Sequence, residues 1–369
     1  LFDRTVIHFS YTREVFYMKQ DRLFDILDEI QRLSSPEQET LLDCLLKLAN
    51  HNIAESLGSL VSSERLKNGI VCPHCGGTHA VRNGSYNNKQ RYICEDCHKT
   101  FTSTTLSIFA STKLTDEVIR AIFNCMVEGK SVRATAEICK VDKNTAFLWR
   151  HKILDALARM TEQNNLSGIV EADETFFRIS YKGNHAQDGF VMPRYSKKRG
   201  KAASFRGLSR EQVCVPCGID RAGHVISKIA CTGRVSTKAL DKVFGKNITS
   251  GATIVTDKMN SYTRFAHKHT FELVQLKSEN PKAHGVVKGI YHIQNVNSYH
   301  SGLKKFIAKF NGVSTKYLNN YLVWFSWLRG NKDSYNKKAD ALLSVVASAF
   351  VETKRDYFSD RAAVPVLAA

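Results

Sequence analysis

Two short cysteine turns constrain this chain more than any other feature: Cys72-Pro-His-Cys75 and Cys94-Glu-Asp-Cys97. Each CxxC turn aims two thiolates at one point. Two such turns at this separation suit a tetrahedral four-cysteine zinc site. The stretch between them holds Asn-Gly and Asn-Asn turn signals, which fit two short hairpins. So short a segment has no core of its own, and metal binding supplies its folding energy. Four thiolates leave no open coordination position, so the zinc is structural. Arg82, Lys89, Arg91 and Lys99 lie in the same segment and suggest contact with DNA. Cys214 and Cys217 form a lone CxxC inside an apolar strand pattern and read as packing residues.

The chain has 369 residues, enough for two to three domains at roughly 150 residues each. Lys and Arg number 53 against 35 Asp and Glu, a net charge of +18. Such an excess favours a polyanionic partner, nucleic acid before a membrane surface. No apolar run approaches the roughly 18–20 residues of a membrane span, which excludes a polytopic membrane protein. Charges interrupt the N-terminal apolar stretch, so a secretory signal is not expected and the cysteines read as reduced thiols. The first methionine is Met18, and no fold weight rests on the residues before it.

Residues 1–66 form a region of helical pattern and unknown role. The ribbon occupies 68–101, and the Ser- and Thr-rich stretch 100–112 reads as a linker. Residues 113–160 predict a helix-turn-helix. Ser131 caps its first helix, with Ala134, Ile138 and Val141 facing inward, and Asp142 starts the turn into the second. That second helix carries Lys143, Asn144, Thr145, Arg150 and Lys152, polar at its N-terminus and basic after it. A recognition helix presents such residues to base edges and phosphates.

From 166 to 331 the pattern alternates between strands and helices. GIVEADETFF, EQVCVPCGI and HVISKIAC read as strands, with DRAG as a hairpin turn. A helix (STKALDKVF), a buried strand (ATIVTD), a short helix and the strand FELVQL follow, then a long helical segment from Gln294. Tyr317, Tyr321, Trp324, Phe325 and Leu328 recur at helical spacing and predict a core stripe that closes over the sheet. Residues 332–369 read as a C-terminal helix and a loose tail.

Asp173 lies in the first of these strands, and Asp257 ends ATIVTD. A carboxylate on a buried strand is costly unless it is paired or binds metal. Two on neighbouring strands can bridge divalent ions, as in-line phosphoryl transfer requires. Asn297 and Lys304 are seven residues apart, two helical turns, so they point the same way, with His300 on that face. Asn297 offers a carbonyl oxygen to a metal, and Lys304 a point charge to a phosphate. Glu171 and Glu174 flank Asp173 and are placed on the opposite face of the strand.

In order, CPHCGG, RYICEDCHKTFTSTTLSIFASTKL, ADET, VTDKMNSY and YHIQNVNSYHSGLKK resemble the zinc-ribbon insertion-sequence transposases with an ISXO-type DDE domain. The resemblance covers roughly residues 68–330. It implies an α/β multidomain protein: N-terminal helices, a four-cysteine zinc ribbon, a helix-turn-helix, then an RNase H-like mixed-sheet core with C-terminal helices. It assigns Asp173 and Asp257 as the acidic pair, Asn297 as third member and Lys304 as its basic companion, a DDNK variant. A DDE core usually has Glu where this chain has Asn297, so the site carries one negative charge fewer. Where relatives tend to have a glycine-rich stretch after DET, this chain has FRISYKGNH.

The resemblance implies Mg²⁺ or Mn²⁺ at Asp173, Asp257 and Asn297, and Zn²⁺ at Cys72, Cys75, Cys94 and Cys97. The expected partners are terminal inverted repeats, target DNA and at least one further copy of the chain, in the cytoplasm or, in a eukaryotic host, the nucleus. Residues 182–210 are strongly basic and include Lys197, Lys198, Arg199 and Lys201, which read as a loop tracking a DNA backbone. The alternatives are a DNA-binding protein without catalysis and an RNase H-like nuclease that cuts without joining.

Overall fold

A computed structural model describes residues 20–42, 56–86, 89–161, 165–184, 191–193, 209–257, 259–276, 289–354 and 356–366. The basic residues Lys197, Lys198, Arg199 and Lys201 lie outside these. The chain divides into two compact units, 1–59 and 60–369.

In the first unit, α1 (Gln20–Arg32) precedes a second helical stretch at residues 35–42. Ser34 precedes that stretch: its N–H and its hydroxyl both donate to Glu37 Oε2, at 2.9 and 2.6 Å. Ser34 and Glu37 thus share one hydrogen-bonded turn, close to a capping box. Helix α2 (Leu57–Leu66) follows in the chain.

The second unit begins with the ribbon. Strands β1 (Ala80–Tyr86), β2 (Lys89–Cys94) and β3 (Thr100–Thr102) form an antiparallel sheet in sequence order. Its small core is Cys72, Tyr92, Cys94 and Phe101, with the Tyr92 and Phe101 rings stacked 5.5 Å apart. The stretch expected as a linker is built into the fold instead. Residues 100–102 are β3, and Ile108 and Phe109 are buried. The cause is Arg65, itself buried. Its guanidinium donates to the carbonyls of Ser103, Thr105 and Leu106, and to those of Ala347 and Ala349. A single planar cation thereby satisfies five acceptors, two of them on buried residues, and ties the end of the ribbon to the C-terminal helices.

Helices α3 (Asp116–Val127), α4 (Val132–Ile138) and α5 (Lys143–Thr161) follow. Ser131 caps α4 as expected, its Oγ accepting from the Ala134 N–H at 3.1 Å. The buried face of α4 differs from the expected one. Thr135 and Cys139 are buried, whereas Ile138 is exposed and Ala134 and Val141 are half-buried. Lys140 turns the chain with φ 51°, and the Asp142 carboxylate accepts from the Asn144 N–H at the start of α5.

The central sheet contains β4 (Ile169–Arg178), β5 (Gln212–Asp220), β6 (Val225–Ser227), β7 (Cys231–Thr232), β8 (Thr253–Asp257) and β9 (Glu272–Leu276). Its order is β6-β5-β4-β8-β9, and β7 also pairs with β5. The β4–β5 and β5–β6 pairs are antiparallel; β4–β8 and β8–β9 are parallel. The β5–β6 turn is the DRAG hairpin, with Gly223 at φ 93° and His224 bonded back to Asp220. Helices α6 (Thr237–Phe244) and α7 (Asn260–His269) cover one face over a core of Leu166, Val170, Ala172, Leu240, Phe244 and Phe265. Helix α8 (Gln294–Ala308) packs on β4 and β5.

Tyr321, Trp324, Phe325 and Leu328 of the aromatic stripe lie on α9 (Leu318–Gly330), which packs against α5 and α8; Tyr317 ends the 3-10 turn before it. Trp324 is fully buried, and its indole N–H donates to the Met126 carbonyl at 3.0 Å. The stripe therefore joins the helix-turn-helix region to α8 rather than only roofing the sheet. Helix α10 (Tyr335–Ser348) adds to this body against α3 and α5, and a last turn, α11 (Tyr357–Asp360), follows. The segment expected as a loose tail is pinned at its start, where Arg361 bonds the Asp155 carboxylate of α5 at 2.6 Å. Thr353 and Asn320 bond the same carboxylate.

Candidate functional site

In the ribbon, both CxxC turns close in the same way. The N–H four residues after the first cysteine donates to that cysteine's carbonyl: Gly76 to Cys72 and His98 to Cys94, each at 2.9 Å. Both closing residues take the left-handed conformation, Gly76 at φ 77° and His98 at φ 57°. The turns then present four sulfurs that all lie within 4.8 Å of one another. Cys72–Cys97 and Cys75–Cys94 are each 3.6 Å apart. Tetrahedral Zn–S bonds of about 2.3 Å put sulfurs roughly 3.8 Å apart, so the donor set fits one zinc ion.

The carboxylates meet at the centre of the sheet. The β4–β8 register pairs Ile169 with Thr253, Val170 with Ile254 and Glu171 with Val255, where the ladder ends. Two residues further, Asp173 and Asp257 stand level on adjacent parallel strands. Asp257, last in its strand, is exposed; Asp173 is largely buried. Burial pushes the Asp173 carboxyl up to about 6; the Glu174 N–H, which donates to it, opposes the shift, the charge of Asp257 adds to it, and Lys304 opposes it. The Asp257 carboxyl is raised by its partial desolvation. These anions are short of positive charge, the condition in which a bound divalent cation stabilises a site.

Helix α8 brings its polar face to this point. His300 Nδ1 lies 3.6 Å from Asp173 Oδ2. The His300 ring is buried, its Nε2 has no hydrogen-bond partner, and burial and the Lys304 charge pull it down to about 4. It is therefore a neutral imidazole at neutral pH. Asn297 is exposed one turn before it and Lys304 is exposed one turn after it. Lys304 acts electrostatically on both Asp173 and His300.

The two glutamates separate. The strand period of two puts Glu171 on the same face as Asp173, which corrects the expectation that both glutamates lie opposite. Glu171 is fully buried and bonds the first turn of α8. Only Glu174 points the other way, toward Tyr262 of α7. Burial and the charges of Asp173 and Asp257 push Glu174 up to about 7, and its Oε1 has no hydrogen-bond partner. Alternation alone was sufficient to place Glu171; its contacts were missed because its partners lie fifty residues or more away.

In the region expected as a helix-turn-helix, Lys143 and Asn144 are exposed at the N-terminus of α5 and Thr145 is half-buried. Arg150 does not face solvent. It is buried, donates to the Lys130 carbonyl at 2.5 Å and stacks over Trp324 with its guanidinium carbon 5.0 Å from the ring centre. It holds α5 to α9, which removes it from any DNA-facing set. Lys152 is half-buried, its amine 5.4 Å above the Trp149 ring. Lys182, at the start of the basic stretch, donates to the Phe310 and Gly312 carbonyls after α8.

Residues 165–329 match the family model of the ISXO2-like transposase domain. A protein of the transposable element ISH50 from Halobacterium salinarum is 26% identical over 280 residues, covering 73% of this chain and 89% of that one. Among solved structures, a pre-cleavage Mos1 transpososome aligns over 64% of this chain and 80% of that chain, at 13% identity and a TM-score of 0.20. A Mos1 paired-end complex with Mn aligns over 64% and 79%, at 13% identity and a TM-score of 0.19. Among the described residues no helix is long and apolar enough to cross a membrane.

Proposed function

We propose, from the ISXO2-like transposase domain at residues 165–329, that this chain is an insertion-sequence transposase acting on DNA. The observation that carries the reading is the level placement of Asp173 and Asp257 on adjacent parallel strands, with Lys304 of α8 beside them. The strand order β6-β5-β4-β8-β9, three antiparallel strands followed by two parallel ones, supports an RNase H-like core.

Asp173 and Asp257, with Asn297 from α8, would hold Mg²⁺ or Mn²⁺. Such ions, when bound, activate the attacking oxygen and stabilise the leaving one. The chain's own contributions are distinct. The aspartates would hold those ions between two strands, where a phosphate can reach them. Lys304 adds a positive charge where the phosphate's negative charge grows. The neutral His300 ring and the core behind it exclude water from the inner side of Asp173. Water breaks the phosphodiester at the element's end and leaves a 3′-hydroxyl. That hydroxyl attacks a target phosphodiester, forming the new bond and releasing a target 3′-hydroxyl. The exposed Lys143 and Asn144, with the zinc ribbon, read the terminal repeats, and joining two ends calls for at least two copies.

Incubating the full chain with DNA carrying the element's ends, plus Mg²⁺ or Mn²⁺, tests this. Joined products support the reading. Cut ends without joined product point to a nuclease, and binding without cutting points to a DNA-binding protein.

A further inference from the structure

Helix α8 is not capped by its N-cap residue. Its N-cap residue is Ile293, whose side chain offers no acceptor for the free N–H groups of the first turn. The Gln294 N–H donates to His292 Nδ1 at 3.4 Å, and the next two are satisfied from the sheet. The N–H groups of Asn295 and Val296 donate to Glu171 Oε2 at 2.8 and 3.1 Å. Glu171 Oε1 accepts from Asn295 Nδ2 at 2.8 Å and from an Arg221 guanidinium nitrogen at 2.6 Å. His292 Nδ1 lies 3.1 Å from the same oxygen. Arg221 stands in the β5–β6 turn and also donates to the Ile290 carbonyl at 3.0 Å, just before α8. A buried carboxylate on a central strand is costly unless saturated with donors. Here the donors come from three separate elements.

The spacing matters as much as the bonds. Two residues along a strand advance about 6.6 Å, from Glu171 to Asp173. Five residues along a helix advance about 7.5 Å, from Asn295 to His300. Strand and helix thus run in step between two contacts, Glu171 with Asn295 and Asp173 with His300.

We propose that Glu171 is a positioning residue for the reaction: by capping α8 from within the sheet, it sets the height and rotation at which Asn297, His300 and Lys304 meet Asp173. This rests on the transposase reading above. Glu171→Gln keeps the shape but places an amide N–H₂ among groups that are themselves donors. Asn295→Ala removes one donor and leaves the carboxylate, so it is a milder variant should the first fold poorly.

The test uses the full zinc-loaded chain and three readouts: amide hydrogen exchange at Asn295 and Val296, Mn²⁺ binding by electron paramagnetic resonance, and cleavage kinetics on end-bearing DNA. In Glu171→Gln the two amides should exchange faster while ribbon amides do not change. Mn²⁺ should bind more weakly, and kcat should fall on the order of 100-fold with KM for DNA unchanged. Asn295→Ala should show the same pattern at smaller amplitude. If either variant exchanges faster yet binds Mn²⁺ and cuts like wild type, Glu171 is only a helix cap and the proposal is overturned. If wild type itself neither binds Mn²⁺ nor cuts, the transposase reading fails and the positioning role falls with it.

Discussion

Asp173 and Asp257 stand level on adjacent parallel strands, and the hydrogen-bonded ladder between those strands stops two residues before them. The two carboxylates therefore sit where the strands are free to part. The cost shows in Asp173, whose carboxyl titrates at about 6. A folded-state value above the unfolded one means that the protonated form favours folding. That contribution is complete below about pH 4 and is lost as pH rises through about 6. In metal-free protein at pH 7.5, Asp173→Asn should therefore raise stability, by at most about 3 kcal/mol. Mg²⁺ should stabilise wild type and not the variant. Thermal melts with and without Mg²⁺ check both parts; a lowered Tm for the metal-free variant would contradict the account.

The ribbon should hold one zinc per chain. Chelation, or Cys94→Ser, should release it and expose the amides of residues 72–102 to rapid hydrogen exchange, since the four-residue core of the ribbon cannot hold it folded. Exchange at β4 and β8 should not change. Zinc release with an intact, protected ribbon would count against a structural metal.

Arg65 should behave as a structural cation. Arg65→Met leaves five carbonyls from two parts of the chain without this donor, those of Ala347 and Ala349 buried, and should cost about 3–5 kcal/mol. Arg65→Lys should not restore this, because an ammonium cannot reach five acceptors in the planar arrangement of a guanidinium. Denaturant melts of the three proteins decide it, and a lysine variant as stable as wild type would be the contrary result.

At the helix-turn-helix, binding and stability should separate. Lys143→Ala should weaken DNA binding, lower the salt dependence by about one phosphate contact, and leave Tm unchanged. Arg150→Met should lower Tm and alter DNA affinity only in proportion to unfolding. Salt titrations of binding, read beside melts, distinguish the two; equal salt slopes for Lys143→Ala and wild type would exclude Lys143 as a phosphate contact.

What the sequence made legible was local or periodic. The cysteine turns, the Ser131 cap, the DRAG hairpin and the apolar run ending at Asp257 each announce themselves within a few residues. The features it hid depend on distant partners. Arg65 looks like one more basic residue until Ala347 and Ala349 arrive beside it. Arg150 sits among DNA-facing types, but its helix turns it toward Trp324. Residues 100–112 look like a linker because Ser and Thr dominate, yet Arg65 draws their carbonyls inward and Ile108 and Phe109 are buried. At the candidate site the aspartates were legible from their strands, whereas the hold of Glu171 on α8 needed the tertiary fold.

The most direct test of the central claim is metal-dependent cleavage of end-bearing DNA by wild type, Asp173→Asn, Asp257→Asn and Asn297→Ala, with DNA binding measured in parallel. The two aspartate variants should bind DNA as wild type does and lose cleavage by on the order of a thousandfold or more, and Asn297→Ala should be impaired as well. Full cleavage by either aspartate variant would contradict the assignment of the paired strands as the active site. Full activity of Asn297→Ala would remove Asn297 from it.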